Sequence, residues 1–263
     1  ADNNTASWVG SPPVSTGPAL TVNPNSGVGG DAEGDTLTNI RNVIGSAFND
    51  YLYANDTGGR LDAGAGDDYL VAGSGADNLV GGAGSDTVSY GRSNAAVTIN
   101  LATGAVSGGF AAGDVLTGIE NVNGSNLNDV LTGDAYANTI KGSTGNDIID
   151  GGAGNDTLDG GDNNDTISYA SATSGIRTIV NYYVTVSNVR TYSVVNTVGA
   201  GSDITSNFET VIGSGFSDIL KGWASLANFN AGAGNDLIVA NFNSGTMDGG
   251  SGIDTVTYQE TNG

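Results

Sequence analysis

A nine-residue beat constrains this chain more than any other feature. Residues 124–168 divide without remainder into GSNLNDVLT, GDAYANTIK, GSTGNDIID, GGAGNDTLD and GGDNNDTIS. The eighth residue of each nonad is Leu131, Ile140, Ile149, Leu158 and Ile167; the sixth is Asp129, Asn138, Asp147, Asp156 and Asp165. Residues 45–89 divide the same way, with Leu52, Leu61, Leu70, Leu79 and Val88 eighth and Asp50, Gly59, Asp68, Asp77 and Asp86 sixth. Residues 213–257 supply Leu220, Phe229, Ile238, Met247 and Val256, with Asp218, Ala227, Asp236, Gly245 and Asp254. All fifteen eighth positions are apolar in a chain that is 38% hydrophobic. Chance would produce that in far fewer than about one chain in 100,000.

The blocks themselves recur. Gly45, Gly124 and Gly213 open them, 79 and then 89 residues apart, and Tyr90, Tyr169 and Tyr258 follow them. Each has a related lead-in: DTLTNIRNVI (35–44), DVLTGIENVN (114–123) and DITSNFETVI (203–212). The expected organisation is a loop or linker over 1–18, repeat units over 19–90, 91–169 and 170–258, and a tail over 259–263.

One apolar residue per nonad is too sparse for an amphipathic helix, which needs three or four per two turns. It suits a three-residue strand whose middle side chain points inward, because side chains alternate along a strand. The other six residues then form a turn. Glycines at positions one, two and four permit positive φ there, and 44 of the 263 residues are glycine. So short a strand buries nothing alone, so strands must stack at about 4.8 Å. The predicted fold is all-β, a right-handed parallel β-roll or β-solenoid with a thin aliphatic core.

Several function classes are excluded. The chain has no cysteine and no histidine, hence no disulfide frame, no thiolate chemistry and no histidine-based triad or zinc site. A net charge of −21 repels nucleic acid and anionic membrane. No apolar run approaches the ~18 residues of a membrane span, and the N-terminal stretch has no signal-peptide pattern.

GGAGNDTLD (151–159), GGAGSDTVS (81–89) and AGAGDDYLV (63–71) resemble the repeats-in-toxin (RTX) nonapeptide GGxGxDxUx. The resemblance implies two nonads per coil. It also implies several Ca²⁺ ions between turns stacked on the same side, held by position-six carboxylates and backbone carbonyls. Calcium takes six to eight oxygens. On such a coil, turns of one edge are 18 residues apart. One edge then carries Asp50, Asp68 and Asp86; Asp129, Asp147 and Asp165; Asp218, Asp236 and Asp254. The other carries Gly59 and Asp77, Asn138 and Asp156, Ala227 and Gly245, where no Asp faces an Asp. Calcium is therefore expected along the first edge, with Asp77 and Asp156 as turn formers bonding their own backbone. The best pairs are Asp68/Asp86, Asp147/Asp165 and Asp236/Asp254.

The first nonad of each block departs from the family pattern. Phe48, Leu127 and Phe216 stand where its fourth glycine belongs. A turn folded onto the core is expected there, with Asp50, Asp129 and Asp218 offered to metal from one side only. Position-nine acids (Asp62, Asp150, Asp159, Asp248) are expected outside and solvated. Asp35, Asp114 and Asp203 are weaker ligand candidates.

Between the blocks, AVTINLATGAV (96–106) reads as a hairpin turning at Thr103-Gly104, and residues 19–35 as a shortened version. Residues 177–195 read as a longer hairpin covering the solenoid; the alternative is a contact surface for a partner or glycan.

Sparse apolar content and high charge should leave the metal-free chain largely disordered, so that metal binding supplies folding free energy. The RTX resemblance implies type I secretion by a Gram-negative bacterium and folding outside the cell. The family's C-terminal secretion signal is not evident, so a segment of a larger extracellular protein is expected. Two roles follow. The first is a calcium-stiffened structural, adhesive or assembly module of a surface or matrix protein, partnered by itself, other surface proteins or polysaccharide. The second is the RTX portion of a secreted protease, lipase or alginate epimerase whose catalysis is encoded elsewhere. The first is favoured because the repeats leave no room for a catalytic domain. An ice-binding threonine row is set aside, because position seven includes Arg60, Tyr69, Ile148 and Leu237.

Overall fold

The computed structural model describes residues 5–7, 21–23, 26–28, 40–178, 191–195, 200–221, 228–240 and 245–258. Their regular structure is β, with one 3₁₀ turn at Gly109–Ala111. The chain divides into Ala1–Leu127 and Asn128–Gly263, and each is built as a parallel β-solenoid. No helix among the described residues is long and apolar enough to cross a membrane.

In the first unit, Tyr51–Tyr53, Tyr69–Val71 and Thr87–Ser89 stack in parallel, Leu52 on Leu70 and Leu70 on Val88. A second stack runs Asn42–Ile44, Arg60–Ala65, Asn78–Ala83, Val115–Thr117. Within a block, paired residues are 18 apart, so two nonads make one coil. The strands of the even nonads are six residues long rather than the expected three, because they run on through the first three positions of the next nonad.

The second unit repeats the plan. Val130–Thr132, Ile148–Asp150, Thr166–Ser168 and Thr210–Ile212 form one parallel stack, continued by Asn228–Asn230 and Met247–Asp248. Thr139–Thr144, Thr157–Asp162 and Ser202–Ser206 form another. Ile219–Lys221, Leu237–Ala240 and Thr255–Tyr258 form a third.

The inward row is the eighth position of the nonad. Thirteen of the fifteen side chains are at most 3% exposed. Met247 is half-buried and Val256 is 44% exposed, both on strands at the end of the third block. Fully burying such a side chain contributes about 1.5–3 kcal/mol, but each strand supplies only one.

Two inserted hairpins form as read. Thr98–Asn100 pairs antiparallel with Ala105–Ser107 across a turn with Gly104 at φ 71°, and Thr21–Asn23 pairs antiparallel with Ser26–Val28. Of the 177–195 segment, residues 179–190 lie outside the described residues. Thr191–Val195 pairs antiparallel with Ser202–Ser206, which lies outside that segment. Thr5–Ser7, in the segment read as a loop or linker, is a strand paired in parallel with Asn42–Ile44.

Candidate metal centre

The nonad builds its acid site locally. Position one is small, glycine or alanine, and the carboxylate five residues on folds back under the turn. At Gly142, an added Cβ would run into Oδ2 of Asp147 and the carbonyl of Gly160. The acid is then buried beneath its own turn and faces the next coil.

Along the first edge the acids form a ladder. The Asp50 N–H donates to Asp68 Oδ1 (2.7 Å) and the Asp68 N–H to Asp86 Oδ1 (2.8 Å). In the second unit, the Asp129 N–H donates to Asp147 Oδ1 and the Asp147 N–H to Asp165 Oδ1, both at 2.8 Å. The third block repeats it, Asp218 to Asp236 at 2.8 Å and Asp236 to Asp254 at 3.1 Å. The 18-residue spacing thus brings the expected pairs together.

Each carboxylate spends one oxygen on this ladder. Oδ2 of Asp68, Asp86, Asp147, Asp165 and Asp236 is buried without a hydrogen-bond partner. Leaving a buried acceptor unsatisfied costs about 1–3 kcal/mol, and more for a charge. Burial pushes Asp68 and Asp165 up to about 7 and Asp147 up to about 6, and raises Asp86 and Asp236. The neighbouring carboxylates of the ladder add to the rise, while the backbone donor from the preceding coil opposes it. A buried oxygen flanked by like charges fits a cation, and an all-oxygen donor set fits a hard one. Among the described residues no three acids converge on one point. A calcium shell here would have to take carboxylates from facing pairs and the rest of its oxygens from the turn backbone.

The second edge differs from the reading of it. Asp77 and Asp156 do face acids, supplied by the lead-ins. The Asp77 N–H donates to Asp114 Oδ1 at 2.7 Å and the Asp156 N–H to Asp203 Oδ1 at 3.0 Å. Burial pushes Asp77 and Asp156 up to about 7, and Asp114 and Asp203 up to about 6. Asp156 Oδ2 is buried and unpartnered, like those of the first edge. Asp77 Oδ2 instead accepts the Gly73 N–H at 3.1 Å. Buried Tyr90 donates its hydroxyl to Asp114 Oδ2 at 3.0 Å.

The lead-ins also close the first edge. The Asp86 N–H donates to Glu120 Oε2 at 2.9 Å and the Asp165 N–H to Glu209 Oε2 at 2.8 Å. Sequence reasoning missed Glu120 and Glu209, although both hold the seventh place of their lead-ins.

The first nonads do not tuck a large side chain into the core. Leu127 and Phe216 are 40% and 47% exposed, and Phe48 is half-buried. A serine organises the turn instead. Asp50 receives the Ser46 N–H at 2.6 Å and its hydroxyl at 2.9 Å; Asp218 receives both from Ser214 at 2.6 Å. Both oxygens of Asp50 and Asp218 are thereby engaged. The position-nine acids lie toward the outside but are not merely solvated: Asp62 pairs with Arg60 at 2.7 Å, Asp150 accepts the Ser171 hydroxyl and Asp159 accepts Asn207. Asp35 lies outside the described residues.

A family model described as the RTX calcium-binding nonapeptide repeat, four copies long, matches residues 58–94, 123–158, 132–167 and 228–256. The matched stretches contain every first-edge acid except Asp50 and Asp218. No curated protein matches the chain.

Proposed function

We propose, from the premise that the chain is an RTX repeat protein, that it is a module folded by calcium and serving as a structural unit of a secreted or surface protein. RTX calcium-binding repeats on a β-solenoid are a structural calcium-binding fold. Asp68/Asp86, Asp147/Asp165 and Asp236/Asp254 are the principal ligand pairs. Asp156 with Asp203 and Asp77 with Asp114 extend binding to the second edge. Asp50, Asp129 and Asp218 close their ladders through backbone N–H donors and stand as lesser ligands.

One observation carries this reading: six position-six aspartates hold a buried, unpartnered Oδ2. A structural, adhesive or assembly role is supported by repeats that fill the chain and by the absence of histidine and cysteine. Calcium-dependent folding suits a chain that stays unfolded where calcium is scarce and orders outside the cell.

The test is a calcium titration of the full chain and of a double variant, Asp147→Asn with Asp165→Asn. Asparagine keeps the Oδ1 acceptor but removes the charge aimed at the ion. Calorimetry should lose binding stoichiometry, and circular dichroism should show the folding midpoint moved to higher calcium. An unchanged stoichiometry and midpoint would remove these residues from the metal site.

A further inference from the structure

The first unit carries a tyrosine cluster that the aspartate ladder does not use. Tyr51 and Tyr69 hold the seventh place of nonads one and three, and Tyr53 the ninth place of nonad one. The eighth residue of each strand points inward, so the seventh and ninth face out. An outward strand position does not demand tyrosine. The same three places hold Val130, Ile148 and Thr132 in the second block, and Ile219, Leu237 and Lys221 in the third.

The coil return sets Tyr51 beside Tyr69 as partners in the parallel ladder. Their rings stack with centroids 4.6 Å apart and planes 15° apart, and Tyr53 meets Tyr51 at 5.1 Å and 49°. Aromatic packing of this kind supports neighbouring strands, but it does not require the hydroxyls to gather. Here they do gather. Burial pushes Tyr51 up to about 12, and the adjoining hydroxyls of Tyr53 and Tyr69 add to the rise. The Tyr69 hydroxyl oxygen accepts the Nδ2–H of Asn123 at 2.8 Å, so that contact leaves the tyrosine its own proton. All three side chains are half-buried. They are held against one another, whereas Tyr136 stands 74% exposed.

We propose that Tyr51 and Tyr69 form a modification site, coupled by one-electron oxidation into a dityrosine that staples two successive coils. The oxidant is hydrogen peroxide acting through a haem peroxidase. Each phenol gives up one electron and its hydroxyl proton, leaving two phenoxyl radicals. One carbon ortho to each oxygen contributes the unpaired electron to a new C–C bond. The hydrogens on those two carbons then move to the oxygens and restore both aromatic rings. The two electrons and two protons released reduce one peroxide to two waters. The chain has no cysteine, so a disulfide cannot do this work. The link closes residues 51 to 69 of one chain, and a covalent closure of that kind persists when metal is withdrawn.

The experiment oxidises the full chain in calcium with peroxide and a haem peroxidase, at a dilution where it is monomeric. Trypsin then cuts the product in chelator after Arg41, Arg60 and Arg92, which leaves Tyr51 and Tyr53 on peptide 42–60 and Tyr69 on peptide 61–92. The expected product is these two peptides joined, at their summed mass less two hydrogens, with dityrosine fluorescence. Tyr51→Phe and Tyr69→Phe keep the ring but cannot form the phenoxyl radical, and each should lower the joined peptide about tenfold or more. Tyr53→Phe should leave it. Circular dichroism on the same samples checks that each variant folds. Absence of the joined peptide from monomer, or coupling confined to pairs of chains through Tyr136, overturns the proposal. So does an undiminished yield in Tyr51→Phe, or an equal yield in denaturant, where the fold no longer holds the rings together. A joined chain whose spectrum ignores calcium leaves the site standing and fails the calcium reading instead.

Discussion

Asp147 has two oxygens with different tasks. Oδ1 accepts the Asp129 N–H at 2.8 Å, which locks the coil register, while Oδ2 is buried and unpartnered. The second oxygen makes the site sensitive to protons. Asp68, Asp77, Asp156 and Asp165 are pushed up to about 7, and Asp114, Asp147 and Asp203 to about 6, chiefly by burial. In the unfolded chain these carboxyls titrate near 3.9. The folded chain therefore binds the proton more tightly, and that contribution to stability is fully present below about pH 4. It is lost as pH rises through 6 to 7. Two outcomes follow. With chelator present, the fold should weaken as pH climbs from 4 to 7. With calcium present, affinity should fall as pH drops below about 7, because proton and metal compete for one oxygen. Calorimetric calcium titrations at pH 5, 6, 7 and 8 check this; equal affinity throughout would show that these carboxylates do not bind the ion.

The residue scale also shows why half of the site was legible. Asp147 and Asp165 meet because the nonad period sets an 18-residue return, and that spacing is printed in the chain. Asp77 meets Asp114, 37 residues on, and Asp156 meets Asp203, 47 residues on. Inserted hairpins of different length set those returns, so no fixed period reveals them. The signal that could have found them is the lead-in itself, with Asp at its first place in all three copies and Glu at its seventh in two.

At the scale of the element, the turn decides which residues are exchangeable. The fourth position takes positive φ at Gly154, 133°, and at Asn163, in the same place one nonad later, 94°. Asparagine tolerates that region better than other side chains, and the Asn163 Oδ1 accepts the Gly145 N–H at 3.3 Å. Asn163→Ala removes that tolerance and should cost about 1–2 kcal/mol, while Asn163→Gly should be near neutral. Thermal unfolding in saturating calcium tests the order; alanine as stable as glycine would mean that the turn relaxes. The first nonads were misread at this scale. Phe48, Leu127 and Phe216 read as core in sequence because large apolar residues usually are. A serine at position two, Ser46 or Ser214, instead fastens the acid four residues on. The side chain at position four is then free to face outward. Sequence weighs the big residue, whereas geometry turns on the small one.

For the molecule as a whole, the balance is between a thin core and stacked charge. Each strand buries one aliphatic side chain, worth about 1.5–3 kcal/mol. Each pair of facing ionised carboxylates, about 5 Å apart at coil spacing, repels by about 3 kcal/mol at an effective dielectric of about 20. With 28 acids against seven bases, the protein has few cations of its own to offset this. On the proposed reading calcium decides whether the coils stack, and the ladder amides should report it. The N–H groups of Asp68 and Asp147 donate to buried carboxylates one coil ahead, so they can exchange only when the coils separate. In calcium, their hydrogen exchange should be among the slowest in the chain. The amides of Thr255–Tyr258, an exposed edge strand, should exchange quickly in dilute solution. With chelator at neutral pH the contrast should vanish, with ladder amides exchanging at the rates of an unfolded chain. Slow exchange at Asp68 and Asp147 without metal would mean that the aliphatic row holds the coils unaided, and that calcium only decorates a fold already made.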